Sequence, residues 1–147
     1  MQAALAPAGY SGTPLPSKLG LRDGMAVAFV ALPVTLKPLA SAVEFVSVDR
    51  PGDWAGIAGV RKYDCIHAFT RHRVEIETHL SDLQDAIKVD GMIWVSWPKK
   101  ASKVSTDVTE DVIRAEALKL DLVDVKVVAI DAIWSGLKLV IRKERRH

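Results

Sequence analysis

The stretch GMIWVSWPKKASKVSTDVTE, residues 91–110, joins an apolar run to a basic loop and then to the start of a helix. Residues 92–97 have the continuous apolar character of a strand buried in a sheet, and Pro98 ends that run. Asp107 and Glu110 have the spacing of a helix capping box. In an open α/β sheet, the loop that follows such a strand lies at the edge where ligands bind. This junction is therefore our candidate functional site.

The rest of the chain repeats the alternation of strand and helix. Apolar runs predict further strands over residues 25–32, 43–48, 63–70, 123–130 and 137–142, with a short helix over 35–42 and longer ones over 73–88 and 108–119. The clearest helix carries Ile76, Leu80, Leu83 and Ile87 on one face, with Thr70 as a plausible N-cap. Only six residues join the last two strands, which is too short for a crossover helix, so that pair is predicted to be antiparallel.

This order predicts an α/β protein with a Rossmann-like, methyltransferase-like three-layer sandwich. Its sheet is mainly parallel and ends in an antiparallel hairpin. Prolines and glycines interrupt residues 1–22, where we expect an N-terminal arm with neither helix nor strand. Residues 23–147 are predicted to form one domain.

Composition excludes several classes of protein. The chain has 147 residues, of which 49% are hydrophobic, a net charge of +2 and a single cysteine, so no internal disulfide framework is possible. It shows no signal peptide and no apolar window of membrane length, and we expect a cytoplasmic protein with no membrane contact. Basic residues crowd residues 142–146, which indicates either a solvated terminus or a contact with a polyanion such as nucleic acid.

Four blocks carry a family resemblance. They are GYSGTPLPSKLG at residues 9–20, WPKKAS at 97–102, TDVTEDV at 106–112 and WSGLKLVIR at 134–142. Together they resemble the domain of unknown function 3052 family, and the resemblance covers nearly the whole chain from Gly9. That family has no assigned activity, so the resemblance implies no catalytic residues. Its order of elements is similar to the S-adenosylmethionine-dependent methyltransferase fold.

The residues themselves argue against a cofactor site of the methyltransferase kind. Such sites use glycines after the first strand, and this chain has no glycine between Met25 and Pro51. Pro33 also removes an amide donor from that turn. Asp49 ends the second predicted strand, where a ribose-binding acid would lie, but without the glycine turn we interpret it as a solvated turn residue. We therefore expect no cofactor, with S-adenosylmethionine or a nucleotide as the alternative.

The histidines and the cysteine suggest no metal site. Cys65 and His67 share one face of a predicted strand, and His72 and His79 are seven residues apart. A zinc site needs three or four converging ligands, and we expect none here. Cys65 lies within an apolar strand and is expected to be an inert buried thiol.

The candidate ligand-binding residues come from three parts of the chain. They are Trp97, Lys99, Lys100, Ser102, Lys103 and Thr106 in the loop, Trp134 and Ser135 at the predicted hairpin turn, and Tyr10, Ser11 and Thr13 in the arm. We expect Trp94 to be core and Trp97 to face the opposite side of the sheet, and we expect Gly136 to allow a positive φ in the hairpin turn.

Three functions remain open at this point. The first is a non-catalytic binding or regulatory module for a small anionic ligand or a protein partner. The alternatives are a divergent S-adenosylmethionine-dependent methyltransferase-like enzyme and a basic, nucleic-acid-associated interaction protein. A capped helix beside a solvated lysine loop, with no ligand, accounts for the same residues. No catalytic residue can be assigned, and the oligomeric state is not predicted.

Overall fold

In a computed structural model, which describes residues 12–147, the chain forms a six-stranded sheet with the strand order β2-β1-β3-β4-β6-β5. The strands are β1 (Ala26–Val30), β2 (Ser47–Asp49), β3 (Tyr63–Phe69), β4 (Ile87–Pro98), β5 (Leu122–Ala129) and β6 (Trp134–Ile141). The α-helices are α1 (Leu15–Lys18), α2 (Arg73–Ala86) and α3 (Glu110–Leu118), and the longest 3-10 helix is Val34–Ser41.

The strand directions confirm the predicted fold class. Strand β1 pairs in parallel with β2 and β3, and β3 pairs in parallel with β4. Strand β6 lies between β4 and β5 and is antiparallel to both, so β5 runs in the same direction as β4. The molecule therefore has a Rossmann-like methyltransferase fold, in which a mainly parallel sheet ends in an antiparallel hairpin.

Two apolar cores cover the two faces of this sheet. One contains residues of α2 and α3, including Ile76, Leu80 and Ile113. The other contains α1 and the 3-10 helix Val34–Ser41, together with Trp94. Trp94 is fully buried, and its indole N–H donates to the Leu19 carbonyl at 3.0 Å. The predictions that Trp94 is core and that Trp97 faces the opposite side are confirmed.

The N-terminal arm differs from the prediction. Residues 15–18 form the short helix α1, and Leu15, Leu19 and Leu21 are buried in the second core. A proline in the first turn of a helix loses no hydrogen bond, so Pro16 does not prevent a helix of this length. The apolar side chains that follow the prolines fix this half of the arm to the sheet.

Strand β4 is much longer than predicted, because it begins directly after α2 and continues through Asp90-Gly91. A Cβ on Gly91 would lie 3.0–3.1 Å from the carbonyl oxygens of Lys88, Tyr63 and Asp64. Gly91 therefore marks a close approach of two backbones within the sheet, whereas the strand predicted from the sequence begins only at residue 92. Strand β2 is shorter than predicted, with only three residues.

The two long helices have different N-terminal partners from those expected. The N-cap of α2 is His72, whose side chain accepts no capping bond, and the amide of Arg73 donates to Asp107 Oδ1 at 2.7 Å. The N-cap of α3 is Thr109, whose hydroxyl accepts from the amide of Val112 at 3.2 Å. The predicted capping box between Asp107 and Glu110 is therefore wrong, because Asp107 caps the other helix.

The inward face of α3 is also rotated from the predicted one. The spacing of Val108, Val112, Ala115 and Leu118 in the sequence predicts that these residues point inward. In the structure Ile113 and Ala117 are fully buried, while Leu118 is 50% exposed. The helix begins after Val108, so an apolar face that is counted from Val108 does not follow the period of the helix. Gly136 lies within β6 and has no positive φ, contrary to its predicted place in the turn.

Candidate functional site

The carboxyl ends of β1 and β2 border a cavity of about 490 Å³, which we call the β1–β2 cavity. Its lining consists of Phe29, Ala31, Leu32, Arg50, Pro51 and Gly52. Strand β1 has its neighbours β2 and β3 on opposite sides, which is the switch point where open α/β sheets bind ligands. The volume of the β1–β2 cavity lies within the usual range for small-molecule sites.

Ala31 gives the turn after β1 an unusual backbone. Its φ is 56°, in the left-handed region that favours glycine. The amide of Ala31 donates to the Pro51 carbonyl at 2.9 Å, which ties this turn to the segment after β2. The chain thus retains a glycine-like turn at the end of β1 without having a glycine there.

Asp49 is the last residue of β2, and its carboxylate is bound within the protein. It accepts a short hydrogen bond from the Tyr63 hydroxyl and lies 3.2 Å from Lys62 Nζ. The hydrogen bond from Tyr63 and the neighbouring Lys62 lower the pKa of the Asp49 carboxyl. Asp49 is therefore a paired carboxylate, and the predicted solvated turn residue is replaced by a structural contact between β2 and β3.

A second cavity, of about 420 Å³, lies at the carboxyl end of β4, and we call it the Trp97 cavity. It is lined by Trp97, Pro98, Lys99, Lys100, Thr106, Val108, Thr109, Glu110 and Ser135. Five of the residues singled out in the sequence, namely Trp97, Lys99, Lys100, Thr106 and Ser135, thus lie around one space. Trp97 is only 8% exposed, so the indole belongs mainly to the wall of the cavity.

The hydroxyl groups of the loop make hydrogen bonds within the chain. Ser102 Oγ donates to the Lys99 carbonyl at 2.7 Å, and Thr106 Oγ1 donates to the Arg71 carbonyl at 2.7 Å. Each hydroxyl has one hydrogen, so neither is a free donor for a ligand in this arrangement. Lys103 has a φ of 60° and ends a short 3-10 helix, and it does not line the cavity.

The remaining predicted residues lie elsewhere. Trp134 begins β6 and packs edge-on against Phe69 at 5.3 Å, in the core on the other face of the sheet. Thr13 is exposed near the start of the described chain and lines neither cavity. Tyr10 and Ser11 lie outside the described residues. The sequence therefore placed the loop correctly at the sheet edge but did not identify which aromatic residue faces it.

His67 and Ser96 form a buried polar pair in the middle of the sheet. The Nε2 atom of His67 lies 2.7 Å from Ser96 Oγ, and the imidazole stacks on Phe69 at 4.2 Å. Burial lowers the pKa of His67 to about 3, so the ring is neutral at ordinary pH. Burial also raises the pKa of the Cys65 thiol to about 12, which agrees with the predicted inert cysteine.

Within residues 12–147, no three histidine, cysteine or carboxylate side chains come together as a set of metal ligands. None of the helices in that range is long and apolar enough to cross a bilayer. The basic C-terminal segment makes contacts inside the chain. Arg145 Nε lies 3.5 Å from Asp121, and Arg146 Nε donates to the Ile141 carbonyl at 2.6 Å.

Neither a family model nor a curated protein matches the sequence. Solved structures do match. An S-adenosylmethionine-dependent methyltransferase from Thiobacillus denitrificans, in complex with S-adenosyl-L-homocysteine, is 14% identical with a TM-score of 0.63, over 97% of this chain and 94% of its own. Magnesium protoporphyrin IX methyltransferase from Synechocystis, with bound S-adenosylmethionine, is 15% identical with a TM-score of 0.61, over 82% and 71%. A methyltransferase from Aquifex aeolicus is 14% identical with a TM-score of 0.61, over 87% and 88%.

These matches show a shared fold, and they correct the first functional hypothesis. The absence of glycines after β1 favours a non-catalytic binding module when only the sequence is considered. Structures of methyltransferases cover most of the chain, so the methyltransferase-like alternative has the better support. The expectation of a non-catalytic module is wrong because the backbone of Ala31 adopts a left-handed turn without a glycine. The resemblance to the domain of unknown function 3052 family stays a prediction.

Proposed function

We propose that this chain is a divergent methyltransferase-like protein that binds S-adenosylmethionine in the β1–β2 cavity. The observation that carries the proposal is the left-handed turn at Ala31, at the switch point of a sheet with methyltransferase topology. Two of the matched structures contain S-adenosylmethionine or S-adenosyl-L-homocysteine.

The residues of the cavity fit such a ligand in space and shape. Phe29, Leu32 and Pro51 supply apolar surface suited to an adenine ring. A Cβ built on Gly52 meets no atom within 4 Å, which shows that the wall beside this glycine is open. When bound, S-adenosylmethionine would supply an activated methyl group for transfer to a nucleophile. The task of these residues is to bind the ligand and to exclude water from it.

The cavity lacks two polar contacts that would strengthen the binding of S-adenosylmethionine. Asp49 does not line the cavity, and its Oδ2 is bound by Tyr63 and Lys62. Pro33 has no amide hydrogen to donate. A hydrogen bond to a charged group contributes about 1.5–3 kcal/mol, so its absence corresponds to an affinity lower by about tenfold to a hundredfold. We therefore expect binding in the micromolar to millimolar range.

Isothermal titration calorimetry with S-adenosylmethionine and S-adenosyl-L-homocysteine tests the proposal. Gly52→Trp should abolish binding, because the indole would fill the cavity. Gly52→Ala is the matched control and should retain binding, because its methyl group meets open space at a φ that is not left-handed. Thermal melts of both variants verify folding. Absence of heat with the wild-type protein at millimolar ligand, or equal binding by both variants, would contradict the assignment.

A further inference from the structure

Within residues 12–147, several basic side chains at the carboxyl edge of the parallel sheet have no ion-pair partner. Five basic side chains follow β2, β3 and β4 there, and none makes a salt bridge in the described part of the chain: Arg50, Arg71, Lys99, Lys100 and Lys103.

The carboxylates near that edge already have partners. Asp107 accepts from the amide of Arg73, Glu110 binds Arg114, and Glu75 accepts from the Thr70 hydroxyl. The cavity at the opposite, amino edge differs, because Asp64 and Asp90 line it together with Arg22 and Lys138. The five basic side chains at the carboxyl edge therefore form no ion pair with these carboxylates.

The Trp97 cavity combines apolar lining residues with two of these basic side chains. Trp97, Pro98 and Val108 supply its apolar wall, while Lys99 and Lys100 lie at the same space. Trp97 and Val108 are both buried, so their positions are set by the core. A volume of about 420 Å³ suits a small molecule. Aromatic side chains bind flat apolar rings, and lysine ammonium groups bind carboxylate or phosphate.

Both cavities lie at the same, carboxyl edge of the sheet. Only β3 separates β1 from β4, and neighbouring strands lie about 4.8 Å apart, so the two strand ends are roughly 10 Å apart. We infer that the Trp97 cavity binds the methyl acceptor, and that this acceptor is a small molecule with an aromatic or apolar body and one carboxylate or phosphate group. This inference rests on the proposed function.

Calorimetric titration with three probes of one shape tests the substrate class: benzoate, phenyl phosphate and the neutral benzamide. At least one anionic probe should bind about tenfold more tightly than benzamide, and the comparison of benzoate with phenyl phosphate identifies the preferred anion. The double variant Lys99→Ala/Lys100→Ala should lose this preference. Lys37→Ala/Lys126→Ala is the control, because it removes the same charge from exposed positions outside the cavity.

The outcomes separate the two proposals. Equal affinity for all three probes, or an equal loss in both double variants, overturns the inference about the substrate. Titration of the same wild-type protein with S-adenosylmethionine is independent of the probes. A protein that binds S-adenosylmethionine but does not prefer the anionic probes refutes only the substrate class. A protein that prefers the anionic probes but never binds S-adenosylmethionine refutes the proposed function instead.

Discussion

Mild acid should destabilise this protein through one buried imidazole. His67 is 1% exposed, and burial lowers its pKa from 6.5 to about 3. The unfolded chain therefore takes up a proton below about pH 6.5, while the folded chain does not until about pH 3. The free energy of unfolding must fall as the pH decreases through this window, and it is unaffected by His67 above it.

The size of the effect follows from linkage. One pKa unit corresponds to about 1.4 kcal/mol, so at pH 5 the loss relative to pH 8 is about 2 kcal/mol. That is a sizeable part of the roughly 5–15 kcal/mol by which a domain of ordinary stability resists unfolding. Urea denaturation followed by tryptophan fluorescence at pH 8, 7, 6 and 5 measures this loss directly.

The variant His67→Gln isolates the contribution of the imidazole. Glutamine does not titrate and retains an amide that can hydrogen-bond to Ser96. Between pH 8 and 5, the free energy of unfolding of the variant should therefore fall by about 2 kcal/mol less than that of the wild type. His72→Gln, at an exposed histidine, is the control and should follow the wild type. If His67→Gln loses as much stability in acid as the wild type does, the neutral buried imidazole is not the cause.

Two substitutions away from His67 test the packing. Gly91→Ala should destabilise the fold by about 1–3 kcal/mol, because its Cβ would meet three backbone carbonyls. Gly52→Ala should cost less, because no atom lies within 4 Å of its Cβ and its φ is not left-handed. Equal urea midpoints for the two variants would contradict this. Asp107→Ala should cost about 1 kcal/mol by uncapping α2, and Asp107→Asn should recover most of it. Circular dichroism melts compare the two Asp107 variants, and no difference between them would reject the cap.

The fold could be predicted from the sequence because its signals are local. Continuous apolar runs mark β1 and β3, which are buried on both faces, and the spacing of Ile76, Leu80 and Leu83 marks the inner face of α2. The short connection before β6 fixed the direction of the final strand. These features need no knowledge of distant residues, so the sheet type and its hairpin were both predicted correctly.

The errors lie where distant parts of the chain decide a local structure. Asp107 has the spacing of a cap for α3, yet it caps α2 because the loop after β4 lies against the end of β3. The β1–β2 cavity was missed because its wall combines segments after two different strands. Alanine in a sequence does not indicate a left-handed turn, so nothing near Ala31 could have indicated its φ.

The contact between Asp107 and Arg73 also makes one amide a reporter of the position of the loop after β4. The Arg73 amide has no hydrogen-bond partner within its own helix, since it lies in the first turn, and its acceptor is 34 residues away in the chain. Its exchange with deuterated solvent is therefore slowed only when the loop after β4 is in place. Measured beside the interior amides of α2, this single exchange rate would distinguish release of the loop from opening of the helix.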